Sequence, residues 1–176
     1  ATYDASSGAL VVTATNLQAN GGGADIDASL FTFTGESGTT YTLTDSADVE
    51  ITSASAFTIT LSTTDKATVN QIVNKNGTVS TGSTTYNLAA ADNWNTNATG
   101  GDTADGAGNG ITVSNVAPPA ITSATYDAST GALAVTGTDF LKASGATNDI
   151  DASKFTFTGE GGATYTLTDT ANVEIT

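Results

Sequence analysis

The sequence predicts an all-β protein, a β-sandwich repeat with one short helix per copy, and three observations lead there. Stretches that alternate apolar and polar residues recur along the chain, bounded by Gly, Asp, Asn and Ser. The run ATYDASSGAL at 1–10 returns as ATYDASTGAL at 124–133, a spacing of 123 residues. A single segment, 62–76, exchanges the two-residue period for a helical one.

Taken in order, the first element is a hairpin. Tyr3-Asp4-Ala5-Ser6-Ser7-Gly8 reads as its turn, with a lead-in segment before it as the first strand. Strands follow at 8–17, 30–35, 39–44 and 49–52, with Gly35-Glu36-Ser37-Gly38 as a second hairpin turn. Thr-x-Thr stretches suit the pleated surface of such sheets. A strand at 57–61 leads into the helix. There Ser62-x-x-Asp65 forms a capping box, Val69, Ile72 and Val73 recur at helical spacing, and Asn76-Gly77 supplies a stop. The helix is expected to cover an open end or edge of the sandwich, where it would block lateral strand pairing. Strands at 84–88 and 111–116 complete one copy, and about seven short strands in about 120 residues match a two-sheet sandwich.

The repeat is the strongest signal. Residues 1–17 pair with 124–140, and 25–52 pair with 149–176; 35 of these 45 positions are identical. The loop at 18–24 is one residue shorter than its partner at 141–148, as expected of a surface loop. Leu30 becomes Lys154 while Phe31 and Phe33 return as Phe155 and Phe157. Alternate strand residues point to opposite faces, so the Phe face should meet the core and the other should meet water. The division expected is a first repeat over 1–117, a Pro118-Pro119 junction and lead-in strand over 118–123, and the N-terminal part of a second copy over 124–176. Both ends are expected to be cut from a longer tandem array.

Composition narrows the function classes. With 38% hydrophobic but only 7% aromatic residues, the core must be built mostly from small aliphatic side chains. Eighteen acidic residues against four lysines give a net charge of −14, which repels nucleic acid and anionic lipid. No apolar run approaches a membrane span, so neither nucleic-acid binding nor membrane insertion is expected. Cys and His are absent, which removes thiolate chemistry, the usual general base and the usual transition-metal ligands. Without a base beside any Ser or Thr, and without paired glutamates set for glycoside hydrolysis, the chain reads as a non-enzyme.

Two kinds of site residue stand out. Asp25 and Asp27, with their copies Asp149 and Asp151, place two carboxylates on one side of an extended chain, where a calcium site can start. Asp102 and Asp105 lie in the most oxygen-rich loop and are further calcium candidates, although the EF-hand ligand order is missing. The same aspartates also suit turns and strand starts, where they bond nearby N–H groups. Trp94, with Tyr86, could stack a sugar ring, or it could plug the core where a strand leaves its sheet.

The segment PAITSATYDASTGALAVTGTDF at 119–140 resembles the opening of the transcription-factor-like immunoglobulin repeats of surface proteins. LSTTDKATVNQIVNKNGTVSTGSTTYNLAAADNW at 61–94 resembles a segment of the tandem repeats of giant bacterial surface adhesins and biofilm-associated extracellular proteins. This resemblance implies an Ig-like repeat used as a spacer or adhesive module, exported to the bacterial cell surface and often calcium-dependent. The expected function is thus a structural extender of an adhesin, filament or surface layer, with carbohydrate or cell-surface binding through the repeat loops as the alternative. The expected partners are neighbouring repeats, strands exchanged between chains, and glycans.

Overall fold

The computed structural model describes residues 1–101, 103–142 and 148–175, and these divide into two units, Ala1–Pro118 and Pro119–Thr176. The first hairpin sets the pattern. Asp4 Oδ1 accepts from the N–H groups of Ser6 at 2.9 Å and Ser7 at 3.1 Å, and Gly8 takes a φ of 79°, so the chain reverses within four residues. Strand β1 (Thr2–Asp4) returns as the antiparallel β2 (Ala9–Thr13), with Tyr3 opposite Leu10. Tyr3 and Asp4, expected in the turn, are strand residues, because the Tyr3 ring is fully buried and the turn contracts to 5–8.

The first unit holds two sheets. In one, β5 (Ala56–Thr60), β2, β1 and β7 (Thr112–Ser114) lie side by side, and β1 runs parallel to β7. The other has β3 (Phe31–Thr34) between β4 (Thr40–Thr42) and β6 (Asn87–Ala90). The alternation of β3 buries Phe31 and Phe33 and leaves Thr32 and Thr34 half-buried. One apolar cluster joins the sheets, and Tyr3 of β1 meets Phe33 of β3 edge-on at 5.5 Å.

Two expected strands shift. Residues 49–52 form only a bridge from Val49 to Ile26, because the Ile51 N–H, two residues on, goes to the Asp25 carboxylate. The strand expected at 84–88 lies at 87–90, since the Tyr86 N–H is taken by the Thr78 carbonyl.

The helix α1 (Thr63–Ile72) starts where the capping box placed it, with the Ser62 hydroxyl accepting from the Asp65 N–H at 3.1 Å. It stops short of Asn76-Gly77. Val73 makes the last intrahelical bond, and Asn74 then turns its side chain to Glu36 and to the N–H of Thr81. The helix lies against β4, an edge strand of its sheet.

The second unit carries the same local structure. Strands β8 (Ala120–Asp127) and β9 (Ala132–Thr138) form one hairpin, and β10 (Thr156–Thr158) and β11 (Thr164–Thr166) form another. Tyr126 meets Phe157 edge-on at 5.4 Å, as Tyr3 meets Phe33. Strands dominate both units, and α1 is the one α-helix among the described residues. No helix there is long and apolar enough to cross a membrane.

Candidate functional site

Asp25 sits where three loops meet. It is fully buried, and its carboxylate accepts from the N–H of Asn20 at 2.8 Å, the N–H of Ile51 at 3.0 Å and the Asn97 amide at 2.5 Å. Its own carbonyl takes the Asn95 amide at 3.1 Å. Both carboxylate oxygens therefore serve as acceptors that tie the chain at 20, 51 and 97 together. The copy, Asp149, repeats one of these bonds, accepting from the Ile175 N–H at 3.0 Å.

Asp27 and Asp151 do a different job, each capping a 3-10 turn. The N–H groups of Ser29 and Ser153 each lie 3.0 Å from the capping carboxylate, and their hydroxyls each lie 2.6 Å away. Asp151 sits below the usual carboxylate range, mainly through the Ser153 hydroxyl. Asp105 pairs its backbone with Ala90 in both directions at 2.8 Å. Asp102 lies outside the described residues, as does the stretch 143–147 of the variable loop.

As held here, Asp25, Asp27 and Asp151 spend carboxylate oxygens on hydrogen bonds within the fold. Both Asp25 oxygens and Asp27 Oδ1 are turned to N–H and O–H donors, and no three His, Cys, Asp or Glu side chains gather as cation ligands among the described residues. Asp48 makes the same point. Its carboxylate accepts from the Ala28 N–H at 2.9 Å, and in the second copy Asn172 Oδ1 accepts from the Ala152 N–H at 3.0 Å. That position requires an acceptor oxygen, with or without a charge.

Trp94 and Tyr86 turn inward. Trp94 packs on Phe31 at 5.7 Å and Phe57 at 5.8 Å, and its Nε1–H donates to the Thr103 carbonyl at 2.8 Å. Tyr86 is fully buried, its hydroxyl bonded to the backbone of Lys75, so it offers no face to a sugar. The reason is packing: Tyr86 is one of the core's large rings, and Trp94, partly buried, packs against that core.

The structure adds two features that pattern reading missed. The first is Asp65, read from sequence only as a capping residue. Its carboxylate is fully buried and accepts from six donors: Tyr41 Oη, the Thr44 N–H and hydroxyl, the Asp45 N–H, and the Ser46 N–H and hydroxyl. Burial pushes its pKa up, but hydrogen bonds led by those of Ser46, Thr44 and Tyr41 outweigh it and hold the group at about 2. Asp65 thus fastens the helix N-terminus to the 41–46 turn.

The second is an apolar groove of about 1200 Å³ on the second unit, lined by residues including Tyr126, Leu133, Phe155, Phe157, Tyr165 and Leu167. Tyr126 is 56% exposed where its copy Tyr3 is at 0%, and Tyr165 is 61% exposed.

Compared with protein-family models, with curated proteins and with solved structures, the chain has no match.

Proposed function

We propose that this chain is a non-catalytic structural extender: Ig-like β-sandwich repeats in a tandem array that carry tension at a bacterial cell surface, in an adhesin, filament or surface layer. The observation that supports it most is the parallel pairing of β1 with β7. Within Ala1–Pro118, β1 is the first strand and β7 the last. Opposite pulls on the two ends of a parallel pair load its hydrogen bonds together, in shear, whereas an antiparallel hairpin pulled at its open end unzips bond by bond. The buried carboxylates agree with this reading, since Asp25 and Asp65 each tie separate segments of the unit into one body.

The chain has no cysteine, so Ala1→Cys and Pro118→Cys provide unique handles for single-molecule stretching of the full chain. Thr112→Pro removes the N–H that donates to the Ala1 carbonyl at 3.0 Å. One lost bond of about 1 kcal/mol should raise the unfolding rate under load about fivefold. If the first unit opens under tension no more slowly than a simple hairpin, or if Thr112→Pro changes nothing, the mechanical reading fails.

A further inference from the structure

We propose that Asn20-Gly21 is a self-modification site, at which the folded chain converts its own asparagine to aspartate and isoaspartate by deamidation. The inference concerns backbone chemistry and does not depend on a mechanical role.

The reaction needs only water. The Gly21 backbone nitrogen attacks the side-chain carbonyl carbon of Asn20, the bond from that carbon to the amide nitrogen breaks, ammonia leaves, and a succinimide ring forms. Water then opens the ring at either carbonyl, giving aspartate or an isoaspartate whose main chain runs through the former side chain. A following glycine favours the attack, because it has no side chain to crowd the nitrogen and lets the backbone fold back. The sequence holds three such pairs, Asn20-Gly21, Asn76-Gly77 and Asn109-Gly110.

The structure separates them. At Asn76 both reacting groups are engaged: the Gly77 N–H donates to the Val113 carbonyl at 2.8 Å, and Asn76 Oδ1 accepts from the Val116 N–H at 2.9 Å. Asn109 is held on three sides. Its N–H donates to Asn87 Oδ1 at 3.0 Å, its carbonyl accepts from the Leu88 N–H at 2.9 Å, and its side-chain amide donates to the Asp105 carbonyl at 3.2 Å. Ring closure at either site must first break these bonds, which keeps nitrogen and carbon from attack geometry. Asn20 and Gly21 are both exposed in the loop at 18–24. No hydrogen bond among the described residues holds the Asn20 side-chain amide or the Gly21 N–H. An added Cβ at Gly21, Gly22 or Gly23 would meet nothing within 4 Å, so the ring has room to close.

The reaction would also reach the interior. The Asn20 N–H donates to the fully buried Asp25 carboxylate at 2.8 Å, so either product places a new negative charge on a residue that Asp25 grips. Isoaspartate further lengthens the main chain beside that bond. Deamidation therefore loosens the tie that joins the chain at 20, 51 and 97. The second copy carries LKASGATN at 141–148, with no Asn-Gly pair, which confines the mark to the first repeat.

The test is to age the full chain at mildly alkaline pH, folded and in denaturant, and to read each Asn-Gly peptide by mass and by enzymatic methylation of isoaspartate. In the folded chain residue 20 should convert at least about tenfold faster than residues 76 and 109. In denaturant the three pairs should react at similar rates. Gly21→Ala, which has both the space and an ordinary φ, should slow conversion about tenfold. Exchange of the Ile51 amide, which also donates to Asp25, should rise about fivefold in the aged chain, as one weakened bond would cause. The proposal is overturned if residue 20 keeps its amide in the folded chain while it reacts in denaturant, if residue 76 or 109 keeps pace with it in the folded chain, or if Gly21→Ala converts at the parental rate. Unchanged exchange at Ile51 would sink the effect on Asp25.

Discussion

Phe33 and Phe157 occupy equivalent positions in nearly identical sequence, and one is fully buried while the other is half-exposed. Around both, the local structure is the same. The Asp-capped 3-10 turn precedes each strand, a turn containing Glu36 or Glu160 follows it, and the Thr32–Thr42 hydroxyl pair at 2.7 Å returns as Thr156–Thr166 at 2.8 Å. The difference lies in what covers the face. Hydrogen bonds between near neighbours suffice to form turns and hairpin registers, whereas burial needs partners from 53–116.

The most severe break in the comparison is at the paired rings. Phe33→Ala should cost the first unit about 4 kcal/mol, as a cavity in a closed core does. Phe157→Ala should cost the second unit about 1 kcal/mol or less, because water already reaches that ring. Amide exchange read separately in each unit checks both, and equal costs would refute the contrast.

Asp65→Ala comes next, at about 3 kcal/mol, since it strands six donors on Tyr41, Thr44, Asp45 and Ser46. Its pH signature has a definite sign. The folded pKa is about 2 against an ordinary 3.8, so the stabilisation is fully present above about pH 4 and is lost as the pH falls toward 2. Acid melts of the parent and of Asp65→Asn should differ in slope within that window. In the second unit Glu174 has the opposite sign: burial and the nearby Asp149 raise its pKa, so acid relieves a strain there.

A smaller effect is expected from Gly35→Ala, about 2 kcal/mol as the helix end is pushed away, against no measurable change for Gly159→Ala in the free chain. Thermal melts of the two variants report this directly. Smallest of all is Asp48→Asn, within about 0.5 kcal/mol, because Asn172 already makes the equivalent bond. A chelator should likewise leave the melting of the first unit unchanged, and a calcium-dependent rise would mean that ligands outside the described residues complete a site.

Much of the fold was legible in the residues. The capping box at Ser62, the Phe-inward alternation of β3 and the turn at Glu36 each depend on groups within a few positions of one another. The candidate site was legible only in part. Asp25 and Asp27 stood out as paired carboxylates, but their partners decide their role, and Asn97 is 72 positions from Asp25. Trp94 and Tyr86 could be read either as sugar-stacking or as core aromatics, and only their distant partners, Phe31 for Trp94 and Lys75 for Tyr86, show how they pack.

By itself the sequence determined the repeat, the strand-rich class, the helix start and the capped turns, because short-range hydrogen bonds and side-chain alternation are written in adjacent residues. Only the tertiary structure decided that β1 lies parallel to β7 and that Asp65 reaches the 41–46 turn. Each of these joins groups roughly 20 to 110 positions apart, and such contacts depend on both partners and on everything packed between them.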